Sequence, residues 1–167
     1  RRVQLPGSCE TWTVTEALTR NLSGIHNMLV VDYVGTMEAL MLTDYLSDHG
    51  IEVEYITAAD QAANTVEGMT REEMLKRLTG RSVRFKNGEN LVYWKDKSAL
   101  IRQNRFIEER MIEGVDAVVI SAGANPVNRL ALDLRGLIPE IHTIGDANAP
   151  RTVHEATLQG GLVGRML

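Results

Sequence analysis

The residues best placed to do chemistry lie near the end of the chain, where Gly145-Asp146-Ala147 leads through Pro150-Arg151-Thr152 into a run with helical spacing. A buried strand would deliver Gly145-Asp146 to the end of a sheet. A helix beginning near Thr152 would turn its unpaired N–H groups toward the same cleft. One carboxylate beside a helix start suits a polar, electron-rich ligand. Asp146 would accept from sugar-like hydroxyls while the helix end stabilises negative charge on a reduced ring or a phosphate. Taken alone, Asp146 also reads as a helix cap and Gly160-Gly161 as a close-packing site.

An earlier turn raises a second chemistry. After the apolar run Met28-Leu29-Val30-Val31, a G-x-G-x-x-G dinucleotide fingerprint would fall on Asp32, Val34 and Met37. All three glycines are replaced. Asp32 sets a carboxylate where a diphosphate would sit, Met37 would hold the next helix off the strand, and Gly35 falls between the fingerprint positions, beside Thr36. An acid at the end of the second strand would hold a ribose hydroxyl, but Thr57-Ala58 stands there. The residues describe a degraded NAD(P)- or ADP-type site made of Asp32, Val34, Gly35, Thr36, Met37 and Thr57, with Gly123 from a later turn. They also describe a βαβ scaffold with an empty pocket, serving packing or oligomer contacts. A receiver-like signalling domain is a remote alternative. Asp32 suits its magnesium-binding acid, but Ser121 stands where the phospho-accepting aspartate belongs.

Other polar residues carry less. His26, His49, His142 and His154 share no metal-ligand spacing and are read as structural. Ser121 sits in no G-x-S-x-G elbow, so no catalytic residue and no metal ligand is assigned. The single Cys9 excludes an internal disulfide, a CxxC pair and a thiolate cage. Trp12, Tyr93 and Trp94 read as core or interface, and Lys95-Asp96-Lys97 and Arg71-Glu72-Glu73 as solvated faces.

The elements that must position these turns follow from periodicity. Residues 28–31 are a continuous β-branched run, as in a parallel strand buried on both faces. Met37, Leu40, Met41, Asp44 and Tyr45 have helical spacing, ended by Gly50, and Val53, Tyr55 and Ile56 form a second strand. Thr70 to Glu73 has the form of a capping box for a helix reaching Leu78, with Gly80 after it. Short runs over 82–85, 91–94 and 105–110 predict an antiparallel meander, with Asn87-Gly88 as a hairpin turn. Asp116 to Pro126 holds another buried strand, and a helix runs from about Thr152 to the end.

With 167 residues, 44% hydrophobic and 24% charged, the chain has the size of one α/β domain with a real core. A formal charge of −4 supplies no basic field for nucleic acid. No run approaches the roughly 20 apolar residues of a membrane span, and the start lacks a signal peptide's apolar segment, so the expectation is a cytoplasmic protein without a membrane partner. A chain that opens on Arg1 within a Pro-Gly linker is expected to be part of a longer polypeptide.

The motifs together resemble a known family. Asp116-Ala-Val-Val-Ile-Ser-Ala-Gly-Ala-Asn-Pro126 is similar to the crossover by which two-dinucleotide-domain flavoprotein reductases return from an inserted NAD domain to their FAD domain. Ile141-His-Thr-Ile-Gly-Asp-Ala-Asn-Ala-Pro-Arg151 is similar to the flavin motif of their last strand. Val30-Val31-Asp32, Gly35, Ala39, Gly145 to Ala147, Pro150-Arg151, Glu155-Ala156 and Gly160 match in order the branch of NADH:flavin oxidoreductases containing trimethylamine dehydrogenase, histamine dehydrogenase and 2,4-dienoyl-CoA reductase. The resemblance implies a Rossmann-like three-layer α/β domain, with a central parallel sheet and a β-meander, plus a terminal strand-helix piece of an adjoining FAD domain. It divides the chain into an NAD(P)-type domain over 1–126, with a linker at 1–24, and an FAD-type segment over 127–167.

It further implies part of a flavin-dependent oxidoreductase moving electrons between a small organic substrate and an acceptor or NAD(P)H, the fragment alone being inactive. FAD would be held by Gly145, Asp146, Ala147, Pro150, Arg151 and Thr152, with Asp146 on the ribitol. FMN and an iron–sulfur cluster belong to an upstream barrel. That barrel and the first half of the FAD domain would be partners in the same polypeptide, with a homo-oligomer left open.

Overall fold

The computed structural model describes residues 9–167; the beginning of the expected linker, residues 1–8, lies outside the described residues. The chain divides into two compact units, Arg1–Ala122 and Gly123–Leu167.

In the first unit the described part of the expected linker is structured. Trp12 bridges to Val119, and helix α1 (Val14–Thr19) starts in a capping box between Thr13 and Glu16. Next come β1 (Asn27–Asp32), α2 (Met37–Asp48), β2 (Glu52–Thr57), α3 (Gly68–Leu78) and β3 (Val83–Asn87), then β4 (Glu89–Lys95), β5 (Ser98–Gln103), β6 (Glu109–Ile112) and β7 (Ala117–Ser121). Four strands form a parallel sheet in the order β3-β2-β1-β7, and β4-β5-β6 form a separate antiparallel sheet.

The pleat sorts each parallel strand between two cores. Met28, Val30, Val53, Tyr55 and Val119 pack with Ala39, Leu40 and Leu46 of α2, Ala17 of α1 and Leu78 of α3. Leu29, Val31, Ile56, Val118 and Ile120 pack against Leu91, Trp94 and Ile101 of the antiparallel sheet. The layers are therefore helices, parallel sheet and meander. Burial on both faces explains why β1 reads as an unbroken apolar run, each large aliphatic contributing about 1.5–3 kcal/mol.

The meander differs from expectation at several points, and its middle strand β5 falls where no strand was expected. The first run, 82–85, belongs to β3, which pairs in parallel with β2. Asn87-Gly88 therefore passes the chain between sheets rather than closing a hairpin. The hairpin closes instead at Asp96-Lys97 between β4 and β5, both residues left-handed at φ 51° and 62°, as a two-residue primed turn requires. The run expected at 105–110 appears as β6, shifted to Glu109–Ile112. Its Arg110 donates to Glu54 at 2.5 Å and to Glu89 at 2.5 Å, tying the meander to the parallel sheet.

Helix α3 starts earlier than the Thr70 cap predicts. Glu67 is the cap, accepting from the N–H groups of Met69 and Thr70. Its longer side chain reaches the same orphan donors that a threonine would serve.

The second unit holds a short helix α4 (Arg129–Asp133), a single 3₁₀ turn (Gly145–Ala147) and helix α5 (Val153–Val163). The buried strand expected to lead into Gly145 does not form among the described residues. Ile144 is extended, at φ −129° and ψ 165°, but no neighbouring strand pairs with it. No residue of this unit is buried, and Leu158, Leu162 and Met166 stay exposed.

Candidate functional site

In the first turn, β1 ends at Asp32 and α2 begins after Thr36, which makes no side-chain cap. The Asp32 side chain turns inward and is fully buried. Its Oδ1 accepts the N–H of Val34 at 3.1 Å and of Gly35 at 2.8 Å. Its Oδ2 accepts the Tyr55 hydroxyl at 2.5 Å. Burial, and after it the Asp32 carboxyl, push the Tyr55 phenol far above its usual range, so it stays protonated and donates. Gly35 has φ +69°, a left-handed conformation favouring glycine.

The helix does not stand off the strand as the Met37 substitution led one to expect. Met37 is half-buried against the helix-side core, while Ala39 and Leu40 make the close contact. Thr57 is buried at the end of β2, opposite Asp32 in register, and its hydroxyl accepts the N–H of Ala59. At the end of β7, Ser121 lies opposite Asp32 on the other side and donates to Glu38 of α2 at 3.4 Å. Gly123 follows with φ +72° and falls in the second unit.

The two turn N–H groups that would bind phosphate already serve Asp32, and a second carboxylate, Glu38, stands in the first turn of α2. The donor set does not fit a dinucleotide. A cavity of about 590 Å³ lies instead between α3 and β3, floored by Leu75, Leu78, Val83 and Phe85. None of Asp32, Val34, Gly35, Thr36 or Met37 lines it. The receiver-like alternative has no counterpart in this topology, since three strands of a separate antiparallel sheet intervene along the chain between β3 and β7.

In the last turn, Gly145 takes φ +59°, and its N–H donates to the Gln159 side chain of α5 at 2.8 Å. A Cβ added at Gly145 would meet Ala156 Cβ at 3.3 Å, and one added at Gly160 would meet Ile144 at 3.7 Å. Small residues at 145, 156 and 160 therefore let the turn lie close against α5. Asp146 is exposed and makes no hydrogen bond or ion pair with any described residue. Ala147 and Pro150 are half-buried, and Arg151 is exposed. Thr152 caps α5 by position, its hydroxyl donating to Glu155 rather than its oxygen accepting from the helix. That hydroxyl, with the backbone N–H of Glu155, holds the Glu155 carboxyl below its usual range. The arrangement offers a free carboxylate, able to accept from hydroxyl groups, beside a glycine-shaped turn and a helix start. Gly145 contributes shape rather than an amide.

Tyr55 and Glu38 were not singled out by spacing or motif. The strand alternation that puts Tyr55 on the helix face, two residues before the partner of Asp32, is the signal that could have found it.

A Rossmann-like parallel sheet layered between helices and an antiparallel meander defines the class of the first unit. No family model matches the chain, and no curated protein matches it. Among solved structures, histamine dehydrogenase from Rhizobium sp. 4-9 superposes with a TM-score of 0.83 at 22% identity, over 98% of this chain and 27% of that one. The 6-hydroxypseudooxynicotine amine oxidase of Pseudomonas geniculata N1 gives 0.78 at 18%, over 92% and 24%. Lactococcus lactis thioredoxin reductase gives 0.71 at 16%, over 99% and 61%. The chain thus spans about a quarter of the first two relatives. At these identities the likeness establishes the fold, which agrees with the resemblance drawn from the motifs.

Proposed function

We propose that this chain is the C-terminal nucleotide-binding region of a flavin-dependent oxidoreductase of the trimethylamine dehydrogenase and 2,4-dienoyl-CoA reductase kind. In this reading residues up to about 126 are the inserted NAD(P)-type domain and the remainder is the closing segment of an FAD domain. The observation that carries it is Asp146, a free carboxylate on a turn seated against the start of α5. The names of the structural neighbours, a dehydrogenase, an oxidase and a reductase, support the same class.

The second unit would serve as one wall of the flavin site. Its lack of any buried residue, with Leu158 and Leu162 exposed on α5, supports a face covered by the first half of the FAD domain. Bound there, a flavin supplies reversible one- and two-electron transfer. The chain's own residues bind and orient: Asp146 accepts ribitol hydroxyls, Pro150-Arg151-Thr152 lead the backbone to the helix start, and Gly145 keeps the turn flat. The alternative of a structural domain with no bound nucleotide is favoured for the first unit alone, by the carboxyl that fills its turn.

The test is the FAD content of the full-length polypeptide and its Asp146→Ala variant. Stoichiometric FAD in the first and about 10- to 100-fold weaker retention in the second are expected, the range for losing a hydrogen bond to a charged group. Equal retention by both, or no FAD in either, would overturn the assignment.

A further inference from the structure

The turn after β1 is covered by the polypeptide itself. The segment over 58–66, following β2, folds back across it. Thr65 donates twice to the carbonyl oxygen of Gly35, from its N–H at 2.9 Å and from its hydroxyl at 2.6 Å. Asn64 lies on the glycine from outside: a Cβ at Gly35 would meet Asn64 Oδ1 at 1.8 Å and the Asn64 backbone nitrogen at 3.3 Å. Ala62 and Ala63 anchor the segment in the helix-side core, and Ala63 accepts a left-handed φ of 48° to do so. Asn64 and Thr65 are exposed, whereas Gly35 beneath them is buried.

In a dinucleotide site this glycine faces the pyrophosphate, and the neighbouring amides donate to it. Here each of those roles is taken internally. Asp32 uses the Val34 and Gly35 amides from below, and Asn64 and Thr65 occupy the outer side. Glu38 adds a second carboxylate at the helix start, so an incoming diphosphate would meet like charge as well as occupied space.

We propose that the first unit is a self-filled nucleotide domain: Asp32 stands in for the diphosphate, Asn64-Thr65 closes over it, and nucleotides bearing a diphosphate are excluded from the turn. This rests on the reading of the first unit as an NAD(P)-type domain and deepens it. The domain then serves the flavoprotein as scaffold, its turn closed to such nucleotides.

The experiment is an NMR titration of the amide-labelled chain with ADP, with NADH and with inorganic pyrophosphate. No saturable change at Val34, Gly35 or Thr65 up to about 1 mM is expected, a weak-binding limit. Saturable shifts confined to other residues leave the turn closed and agree with the proposal. Saturable shifts at those three amides would overturn it. The Asp32→Gly/Asn64→Gly variant is expected to gain at least about tenfold in ADP affinity; a folded variant without that gain removes the exclusion from these side chains. Should the pair not fold, Asn64→Gly alone takes its place, alongside the wild-type readout. Flavin retention does not move these resonances, so failure here and failure of the flavin assignment are separable.

Discussion

Replacing Tyr55 by Phe should destabilise the first unit while leaving its packing intact. Tyr55 and Asp32 are both fully buried, and their hydrogen bond spans 2.5 Å. The phenyl ring would keep the contact with Phe85, whose centroid lies 5.1 Å away. What is lost is the donor that Asp32 Oδ2 has among the described residues, together with the bond from the Ala63 backbone N–H to the phenol oxygen, leaving buried polar groups without partners. Such a loss costs about 2–3 kcal/mol. For a domain of this size it lowers Tm by roughly 8–12 °C. Urea unfolding followed by tryptophan fluorescence reads this unit, because Trp12 and Trp94 both lie in it. A double-mutant cycle with Asp32→Asn should return a coupling of about 1–2 kcal/mol, as contacting partners in one network do. A loss under about 0.5 kcal/mol for Tyr55→Phe, with the urea slope unchanged, would show that the pair does not hold the turn closed.

Three further outcomes follow from other contacts. Asp116, bonded first to Lys97 and then to the His26 and Asn27 amides, has its pKa lowered to about 2. A depressed carboxylate contributes stability that is present above its unfolded pKa and lost as pH falls from about 5 through 2; that share, at most about 2 kcal/mol, should vanish from pH-dependent unfolding curves of Asp116→Asn. Glu54→Gln should cost about 2 kcal/mol by equilibrium unfolding, below the value for a fully buried pair because the Arg110 side chain is 36% exposed. Gly35→Ala should cost about 1–2 kcal/mol, since φ +69° disfavours a Cβ and the Asn64 amide must move aside. Thermal melts would show it.

The parallel sheet was legible because its signals are local and strong. Residues 28–31 and 117–120 are apolar on both faces, and α2 carries its stripe between Thr36 and Gly50. The meander was harder to read. Asn87-Gly88 has the form of a hairpin, but a turn motif does not say which strand the chain pairs with next, and β3 found β2. The true hairpin has no glycine, only Asp96 and Lys97 forced to positive φ by the strands they join. Within the expected linker, Thr13 and Glu16 form a capping box that spacing alone would have disclosed. At Ile144 the backbone is extended as foreseen, yet a strand needs a neighbour, and none is present among the described residues. The degraded fingerprint at Asp32, Val34 and Met37 could be seen in sequence; the covering segment could not, because Asn64 and Thr65 reach Gly35 only through the fold.

An experimental structure of the full-length polypeptide with its flavin bound decides the assignment. The Asp146 carboxylate should stand within hydrogen-bonding reach of the ribitol hydroxyls, with α5 opening toward the cofactor. A bound flavin held elsewhere, with Asp146 turned to solvent, would contradict it.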